Sequence, residues 1–376
     1  MGESPFVQVC TTMSDRIYAL GKLRSGVAVF ELLSDGGHDQ VVWGQDDRTG
    51  LRAIVAIHST SLGPALGGVR LRPYPDEHTA LVDVLRLARG MTYKAAAAGL
   101  DLGGGKAVIL GRPSAAERAP LLRSYGRLVD SLGGRYVTAE DVGTTQADMD
   151  LLRTQTKHVA GGSEHLGGSG DPSPATALGV LFAIRSLAQT LWGGPTLEGR
   201  RMVVLGVGKV GSALVAHLVV AGAKVFVADI DSARVRAVVE RFGVTPLDVD
   251  DALSHPCDVL APCALGAVLD ATTIPVLGAT AVCGSANNQL AEPADAARLA
   301  DTGVVYAPDY VVSSGGIINI AEELRPGGYQ RDRALAAVAA VGRTTARVLA
   351  DAAHHGITTV EAADRIAEAR LGAVHS

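Results

Sequence analysis

The sequence predicts an α/β protein of two domains. An N-terminal mixed α/β domain is followed by a doubly wound parallel sheet, and C-terminal helices return to the first domain. Three observations carry this. The chain runs to 376 residues, too long for one ordinary core. From Arg201 onward, strand-like and helix-like segments alternate strictly, the pattern of a parallel sheet. A GxGxxG turn opens the first helix of that alternation. The expected divisions are residues 1–172, 173–328 and 329–376.

In chain order, Val41–Trp43 and Ala53–His58 are rich in β-branched residues and read as strands. From Thr79 to Ala98, Leu81, Val84, Leu85 and Ala88 recur at helical spacing, and Gly99 supplies the stop. Lys106–Leu110 reads as a strand with Lys106 at its start. Leu121–Leu132 follows as a helix and Tyr136–Thr138 as a strand, with Glu140 and Asp141 just past its end. Ser173 and Pro174 offer the N-cap and first position of a long crossover helix, closed by Gly193, Gly194 and Pro195.

The second domain then reads as strand Met202–Leu205, helix Val210–Ala221, strand Val225–Ala228 and helix Ser232–Phe242. Strands at Val259-Leu260, Ala281–Cys283 and Val304–Tyr306 complete it. Beyond Tyr329 the alanine-rich stretches Arg333–Ala353 and Thr359–Arg370 are helical.

Composition narrows the function. Apolar residues at 47% and charged residues at 19% exclude a disordered chain. A net charge of −5 gives no electrostatic basis for a nucleic-acid or membrane partner. Cys10, Cys257, Cys263 and Cys283 are scattered without a CxxC pair or histidine cluster, so they are expected as buried free thiols of a cytoplasmic protein, with no metal. MGESPFVQVC lacks the basic and apolar regions of a signal peptide, no apolar run reaches the ~20 residues of a bilayer span, and Met13 is an alternative start.

The turn Gly206-Val207-Gly208-Lys209-Val210-Gly211 follows an apolar strand and opens a helix. A second strand ends at Asp229, 18 residues beyond Gly211. In that context the motif reads as a Rossmann-type dinucleotide site. Gly206 permits the tight turn, Gly208 the approach of pyrophosphate, and Gly211 the helix–strand contact, while the helix N-terminus faces the phosphates. Asp229 accepts from the adenosine ribose hydroxyls, which favours NAD. Arg234 and Arg236 keep NADP as the alternative.

Residues 93–108, YKAAAAGLDLGGGKAV, pose a different question. A phosphate-binding P-loop needs GxxxxGK[ST], but Leu100 stands five before Gly105 and Ala107 replaces the hydroxyl. What remains is two lysines near small residues and Asp141 at a strand end. A lysine desolvated in a glycine-walled cleft loses basicity and serves as a general base, and a second cation nearby assists and holds a carboxylate. Solvated surface lysines are the alternative on residue types alone.

The segments GPALGGVR (63–70), ARGMTYKAAAAGLDLGGGKAVI (88–109), GGRYVTAEDVGTTQADMD (133–150), GVGKVG (206–211), APCALG (261–266), SANNQLA (285–291) and YAPDYVV (306–312) lie in order. Together they resemble the Glu/Leu/Phe/Val dehydrogenase family, most closely its branched-chain members. The resemblance runs from about Gly36 to about Leu371. It implies NAD-dependent oxidative deamination of an L-amino acid to a 2-oxo acid and ammonia by a homo-oligomer. Lys94 then grips the substrate α-carboxylate with Asn288, and Gly67 and Gly68 line the same site. Lys106 is the catalytic lysine that activates water, and Asp141 moves protons to and from the amine. Leu66, Ala139, Ile317 and Ile320 form an apolar side-chain pocket suited to a small branched substrate such as valine. Around the cofactor the resemblance places Thr176, Cys263, Ala264, Leu265, Asn287 and Ser313 beside the loop from Gly206 to Gly211.

One departure stands out. Ser313-Ser314-Gly315-Gly316 occupies the place where the family carries Asn-Ala-Gly-Gly. With Ser285 it raises two alternatives: a member acting on an unusual amino or imino acid, and a catalytically weak NAD-binding paralogue.

Overall fold

Two sheets organise the chain in a computed structural model, which describes residues 29–264 and 266–373. Cys10, Met13 and Leu265 lie outside the described residues. The first sheet contains β1 (Gln40–Asp46), β2 (Leu51–Ser59), β3 (Ala65–Arg72), β4 (Gly103–Leu110) and β5 (Tyr136–Glu140), in the order β1-β2-β4-β3-β5. It is mixed: β2 runs antiparallel to β1 and β4, whereas β3 runs parallel to β4 and β5. Arg52 is the one exposed residue of β2 before half-buried Ser59, as fits a strand covered on both faces.

The glycine triplet belongs to β4, so Lys106 is the fourth residue of that strand and does not start it. The reason is steric. A Cβ at Gly103 would lie 1.9 Å from Ser59 O, and one at Gly104 would lie 2.0 Å from Thr92 N; at Gly105 it would meet the Tyr136 ring at 2.8 Å. Glycine weakens a strand in isolation but here lets the sheet pack hard against a helix. That helix, α2 (Glu77–Ala97), follows the short α1 (Val29–Gly36). Asp76 caps it by accepting from Thr79 N–H at 2.6 Å, and Gly99 closes it at φ +75°.

Next comes α3 (Ala115–Ser131), which starts six residues before the expected Leu121. A capping box between Ser114 and Glu117 fixes its start, and Pro120 falls in its second turn. Then α4 (Gln146–Arg153) leads to the long α5 (Ser173–Trp192). Ser173 is already helical and donates its N–H to Asp171 Oδ1 at 2.9 Å, one residue off the expected cap. Length and composition would let α5 cross a membrane, but its Ile184 and Leu187 are fully buried in the core.

The second sheet is parallel throughout. Its strands are β6 (Arg201–Leu205), β7 (Lys224–Ala228), β8 (Thr245–Pro246), β9 (Cys257–Pro262), β10 (Ala279–Val282) and β11 (Val305–Tyr306), in the order β11-β10-β9-β6-β7-β8. The order reverses between β6 and β9, where open α/β sheets bind ligands. Around it lie α6 (Lys209–Val220), α7 (Ser232–Phe242) and α8 (Ala294–Thr302). Leu214, Val215 and Leu218 of α6 share one core with Ile184 and Leu187 of α5.

After β11 come α9 (Asp309–Val312), α10 (Gly315–Ala321), α11 (Arg331–Val338), α12 (Ala340–His355) and α13 (Thr359–Gly372). The single helix expected over Arg333–Ala353 is broken at Ala339, whose N–H turns three residues back to Ala336 O at 3.3 Å. α13 returns to the first sheet: Glu368 accepts from Tyr93 OH at 3.1 Å and Arg370 Nη1 donates to Ala96 O at 3.2 Å.

Candidate active site

Lys106 and Asp141 come from strands that are not neighbours. β3 lies between β4 and β5, and its register sets Gly68 opposite Ala139 on one side. Pairing of Leu66 with Gly104 and Val69 with Ala107 sets Gly68 opposite Lys106 on the other. The Lys106 ammonium crosses above Gly68 to reach Asp141 Oδ1 at 3.0 Å. A Cβ on Gly68 would lie 2.6 Å from Glu140 O and 2.8 Å from Asp141 Cβ, so glycine is what keeps this crossing open. Gly67 is equally confined, with Gly105 O at 1.7 Å from its would-be Cβ. Lys106 is 5% exposed, and an uncompensated charge there would be expensive.

Asp141 has a second cation. Its Oδ2 accepts from Arg70 Nε at 2.9 Å, and Arg70 Nη1 reaches Asp83 Oδ2 at 3.0 Å. Tyr74 OH donates to the same Asp83 oxygen at 2.7 Å. Burial pushes the Asp141 carboxyl up, but Lys106 and Arg70 together outweigh it and hold the group below the usual carboxylate range.

Lys94, in the last turn of α2, belongs to the same electrostatic neighbourhood. Burial lowers its ammonium to about 8; Asp309 and Asp141 pull it upward, and Lys106 pushes it down. Lys94 Nζ donates to Asn287 Oδ1 at 3.4 Å. Asp309 Oδ2 accepts from Gln289 N–H at 2.9 Å, and burial raises this carboxyl. Between them Asn288 holds a left-handed φ of +53°, which asparagine tolerates better than most residues. Its carbonyl accepts from Ala267 N–H at 2.6 Å.

The four expected pocket residues do meet. Leu66, Ala139 and Ile317 are buried with Val137, Ala160 and Ala321, and Ile320 and Met91 pack against them. Gly161 borders the same space at φ +78°. A Cβ there would find nothing nearer than Glu140 N at 3.9 Å, then Ala139 Cβ and Ile320 Cδ1 at 4.0 Å.

The glycine turn fits a dinucleotide. Gly206 has φ +99°, and Ala264 Cβ would stand 2.6 Å from a Cβ added there. A Cβ on Gly211 would lie 1.9 Å from Gly206 O, whereas one on Gly208 would open onto empty space, with Arg234 Nη1 nearest at 3.9 Å. Thus two glycines allow close packing and the third leaves room for phosphate at the N-terminus of α6. Asp229 accepts from Val207 N–H at 2.8 Å and from Asp231 N–H at 2.9 Å, one bond per oxygen. That leaves each oxygen a lone pair for a ribose hydroxyl. Arg234 pairs with Asp231 at 3.2 Å and Arg236 Nη1 donates to Ser232 Oγ at 3.2 Å.

Other residues expected around the cofactor are distributed as follows. Cys263 N–H donates to Leu205 O at 2.7 Å, and burial raises its thiol. Thr176 Oγ1 donates to Pro172 O at 3.0 Å and would lie 2.7 Å from a Cβ on Gly316. Ser313 is 5% exposed, and its Oγ is buried with no hydrogen-bond partner among the described residues. Lys209 reaches Asp171 Oδ2 at 3.1 Å. Cys257 and Cys283 are buried free thiols, and Cys263 is half-buried.

Sequence reasoning missed Arg70, Asp309 and Gly161 as members of this neighbourhood. Arg70 carried a signal, since it shares a strand face with Gly68 two residues away. Asp309 and Gly161 carried none that spacing could reveal.

Residues 38–158 match the Glu/Leu/Phe/Val dehydrogenase dimerisation domain. Residues 167–235 and 227–327 match the Glutamate/Leucine/Phenylalanine/Valine dehydrogenase domain. Valine dehydrogenase from Streptomyces coelicolor is 51% identical over 339 residues, covering 89% of this chain and 93% of that one. Leucine dehydrogenase from Geobacillus stearothermophilus is 48% identical over 343 residues, covering 91% and 93%. The crystal structure of L-tryptophan dehydrogenase from Nostoc punctiforme superposes with a TM-score of 0.82 at 40% identity, covering 92% of this chain and 99% of that one.

Proposed function

The chain belongs to the Glu/Leu/Phe/Val dehydrogenase family and is an NAD-dependent amino acid dehydrogenase, and we propose that it deaminates small branched-chain L-amino acids, valine foremost, to the 2-oxo acid and ammonia. The observation that carries this is the meeting of Lys94, Lys106 and Asp141 beside a pocket lined by Leu66, Ala139, Ile317 and Ile320. Those four residues are apolar, so an acidic side chain finds no counter-ion among them. One methylene discriminates by only ~1–3 kcal/mol, so leucine and isoleucine overlap as substrates. The named relatives point to the same substrate class.

Bound NAD⁺ supplies the two-electron oxidant. The loop from Gly206 to Gly211, with Val207, Lys209 and Val210, would hold its phosphates and Asp229 its adenosine ribose. Thr176, Cys263, Ala264, Asn287 and Ser313 complete the surround. Lys94, assisted by Asn288, holds the substrate α-carboxylate above the floor formed by Gly67 and Gly68. Asp141, kept ionised by its neighbours, takes a proton from the α-ammonium so that a free amine is presented for oxidation. Lys106 in its neutral form then removes a proton from water as it attacks the imino carbon. Asp141 returns its proton to the nitrogen, and the carbinolamine collapses to 2-oxo acid and ammonia as the hydroxyl proton passes back to Asp141. The reverse order of the same transfers runs amination.

We place the enzyme in the cytoplasm as a homo-oligomer. Buried free thiols fit a reducing compartment. β1 forms an edge of the first sheet, in the segment matched by the dimerisation domain, and Trp43 on it is 50% exposed.

NAD⁺ reduction across a panel of L-amino acids at alkaline pH tests the function. The highest kcat/KM should fall on valine, and tight NAD binding without turnover of any amino acid would sink the proposal. Lys106→Ala should lose turnover by at least a hundredfold, on the order of a general base's contribution, while still binding NAD. An active Lys106→Ala enzyme would refute the assigned mechanism.

A further inference from the structure

Asp141 is bound by two cations that differ in kind. Lys106 offers a compact ammonium on a flexible stem. Arg70 offers a planar fork, and the two ends of that fork are held apart: Nε on Asp141 Oδ2 at 2.9 Å, Nη1 on Asp83 Oδ2 at 3.0 Å. All three side chains are largely buried, with exposures of 18% for Arg70, 20% for Asp141 and 17% for Asp83. Asp83 sits on α2, well before Asp141 in the chain, and is steadied by the Tyr74 hydroxyl at 2.7 Å. The guanidinium is therefore anchored at its far end by Asp83 while Nε engages Asp141.

We propose that Arg70 is the positioning residue of the acid–base pair: it clamps one oxygen of Asp141 so that the other faces Lys106, and its charge governs the proton affinity of that carboxylate. This rests on the roles proposed above for Asp141 and Lys106. Without the clamp the carboxylate is free to rotate about its Cα–Cβ and Cβ–Cγ bonds, and Lys106 could draw either oxygen. With it, a proton arriving from the substrate amine meets a carboxylate whose Oδ2 is held by Arg70, so Oδ1, the oxygen shared with Lys106, is the one that receives it. Lys cannot replace this function, because one ammonium lacks the fork geometry needed to span two carboxylates.

The other charged and titratable groups facing Asp141 are Lys94 on α2, Glu140 beside it in the chain and Tyr136 on β5. Lys94 acts in the same direction as Arg70, and Glu140 against it. Arg70 differs from both in making a direct hydrogen bond to the carboxylate. An opposite charge at this range lowers a carboxyl by about 1–3 units, which sets the size of the effect to look for.

The test compares wild type with Arg70→Gln, Arg70→Lys and Asp83→Asn in two measurements. One is the pH profile of kcat/KM for the best amino acid. The other is the infrared titration of the Asp141 carboxyl in the enzyme without cofactor, its band identified by its loss in Asp141→Asn. Arg70→Gln should move the acid limb and the infrared midpoint upward together by about 1–3 units, with the affinity for NAD unchanged. Arg70→Lys should keep the midpoint near wild type yet lose about a hundredfold in kcat through misplacement. Asp83→Asn frees the full guanidinium charge toward Asp141 and should move both readings downward, and it reports even if Arg70→Gln fails to fold. Unmoved midpoints in Arg70→Gln, or an upward shift in Asp83→Asn, would overturn the assignment. Should wild type oxidise no amino acid, the proposed reaction falls, while the infrared titration still decides whether Arg70 governs Asp141.

Discussion

Replacing Gly68 by alanine probes a place where the backbone itself makes room beside the acid–base pair. The new Cβ would stand 2.6 Å from Glu140 O and 2.8 Å from Asp141 Cβ, against an ordinary contact of 3.4 Å or more. Neither neighbour is the far end of a flexible side chain, so the end of β5 must retreat by about 0.8 Å to restore normal contact. A retreat of that size stretches the Lys106–Asp141 pair from 3.0 Å to about 3.8 Å. With an effective dielectric of about 20, Coulomb attraction then falls from about 5.5 to about 4.4 kcal/mol. Overpacking adds about 1–3 kcal/mol of destabilisation. Misplacement near 1 Å in a reacting constellation costs about a hundredfold in rate. Gly68→Ala should thus remain folded with a lowered melting temperature, bind NAD as wild type does, and lose about a hundredfold in kcat. Steady-state kinetics, fluorescence titration with NADH and thermal melting read the three quantities. A variant within twofold of wild-type kcat would show that the crossing above Gly68 is not the catalytic geometry, and a parallel loss of NAD binding would show general collapse of the fold.

Two further outcomes follow from the same geometry. The Lys94 ammonium is brought from 10.5 down to about 8, so below pH 8 the folded protein carries a desolvated charge that the unfolded chain does not. Between about 8 and 10.5 the folded form sheds that proton first, and stability recovers. Lys94→Gln should therefore melt above wild type at pH 7, with the gap closing by pH 10, and a gap that widens with pH would contradict the buried-charge account. Ile320→Val removes the Cδ1 that faces the space beside Gly161, so kcat/KM for leucine relative to valine should rise about tenfold; an unchanged ratio would place the substrate side chain elsewhere.

The two-sheet architecture was legible because its signals are local. Apolar runs bounded by glycine and a GxGxxG turn between strand and helix need no knowledge of distant contacts. Elements that failed to declare themselves did so for a physical reason. β3 contains Gly67 and Gly68 and so reads poorly as a strand, yet its glycines are there because Gly105 O and Asp141 Cβ press on them from neighbouring strands. The same holds for β4, whose three glycines look like a loop until Ser59, α2 and Tyr136 are laid against Gly103, Gly104 and Gly105 in turn. In the site, the lysines and Asp141 were visible as residue types at a suggestive spacing. Arg70, although it shares a strand face with Gly68, gained its partner only once strand order set β3 between β4 and β5, and Asp309 only once the fold brought α9 up to α2, because pairing between distant segments leaves no periodic trace.

Charge accounting within the site bears on the different tasks proposed for the two lysines. Arg70 and Lys106 each have a carboxylate oxygen within 3.0 Å. Lys94 makes no ion pair among the described residues, and its closest hydrogen-bond partner is the neutral amide of Asn287 at 3.4 Å. Burial has already weakened its hold on a proton, with Asp309 and Asp141 recovering only part of the loss. An arriving α-carboxylate supplies what this ammonium lacks, so Lys94 gains most from substrate, and its affinity for a proton rises on binding. Lys106 gains little from a second carboxylate because Asp141 already occupies it, and its useful property is the proton it shares with that partner. Lys94 thus lacks an ion-pair partner among the described residues where Lys106 has Asp141 at 3.0 Å, and that difference suits the two lysines to the separate roles proposed for them.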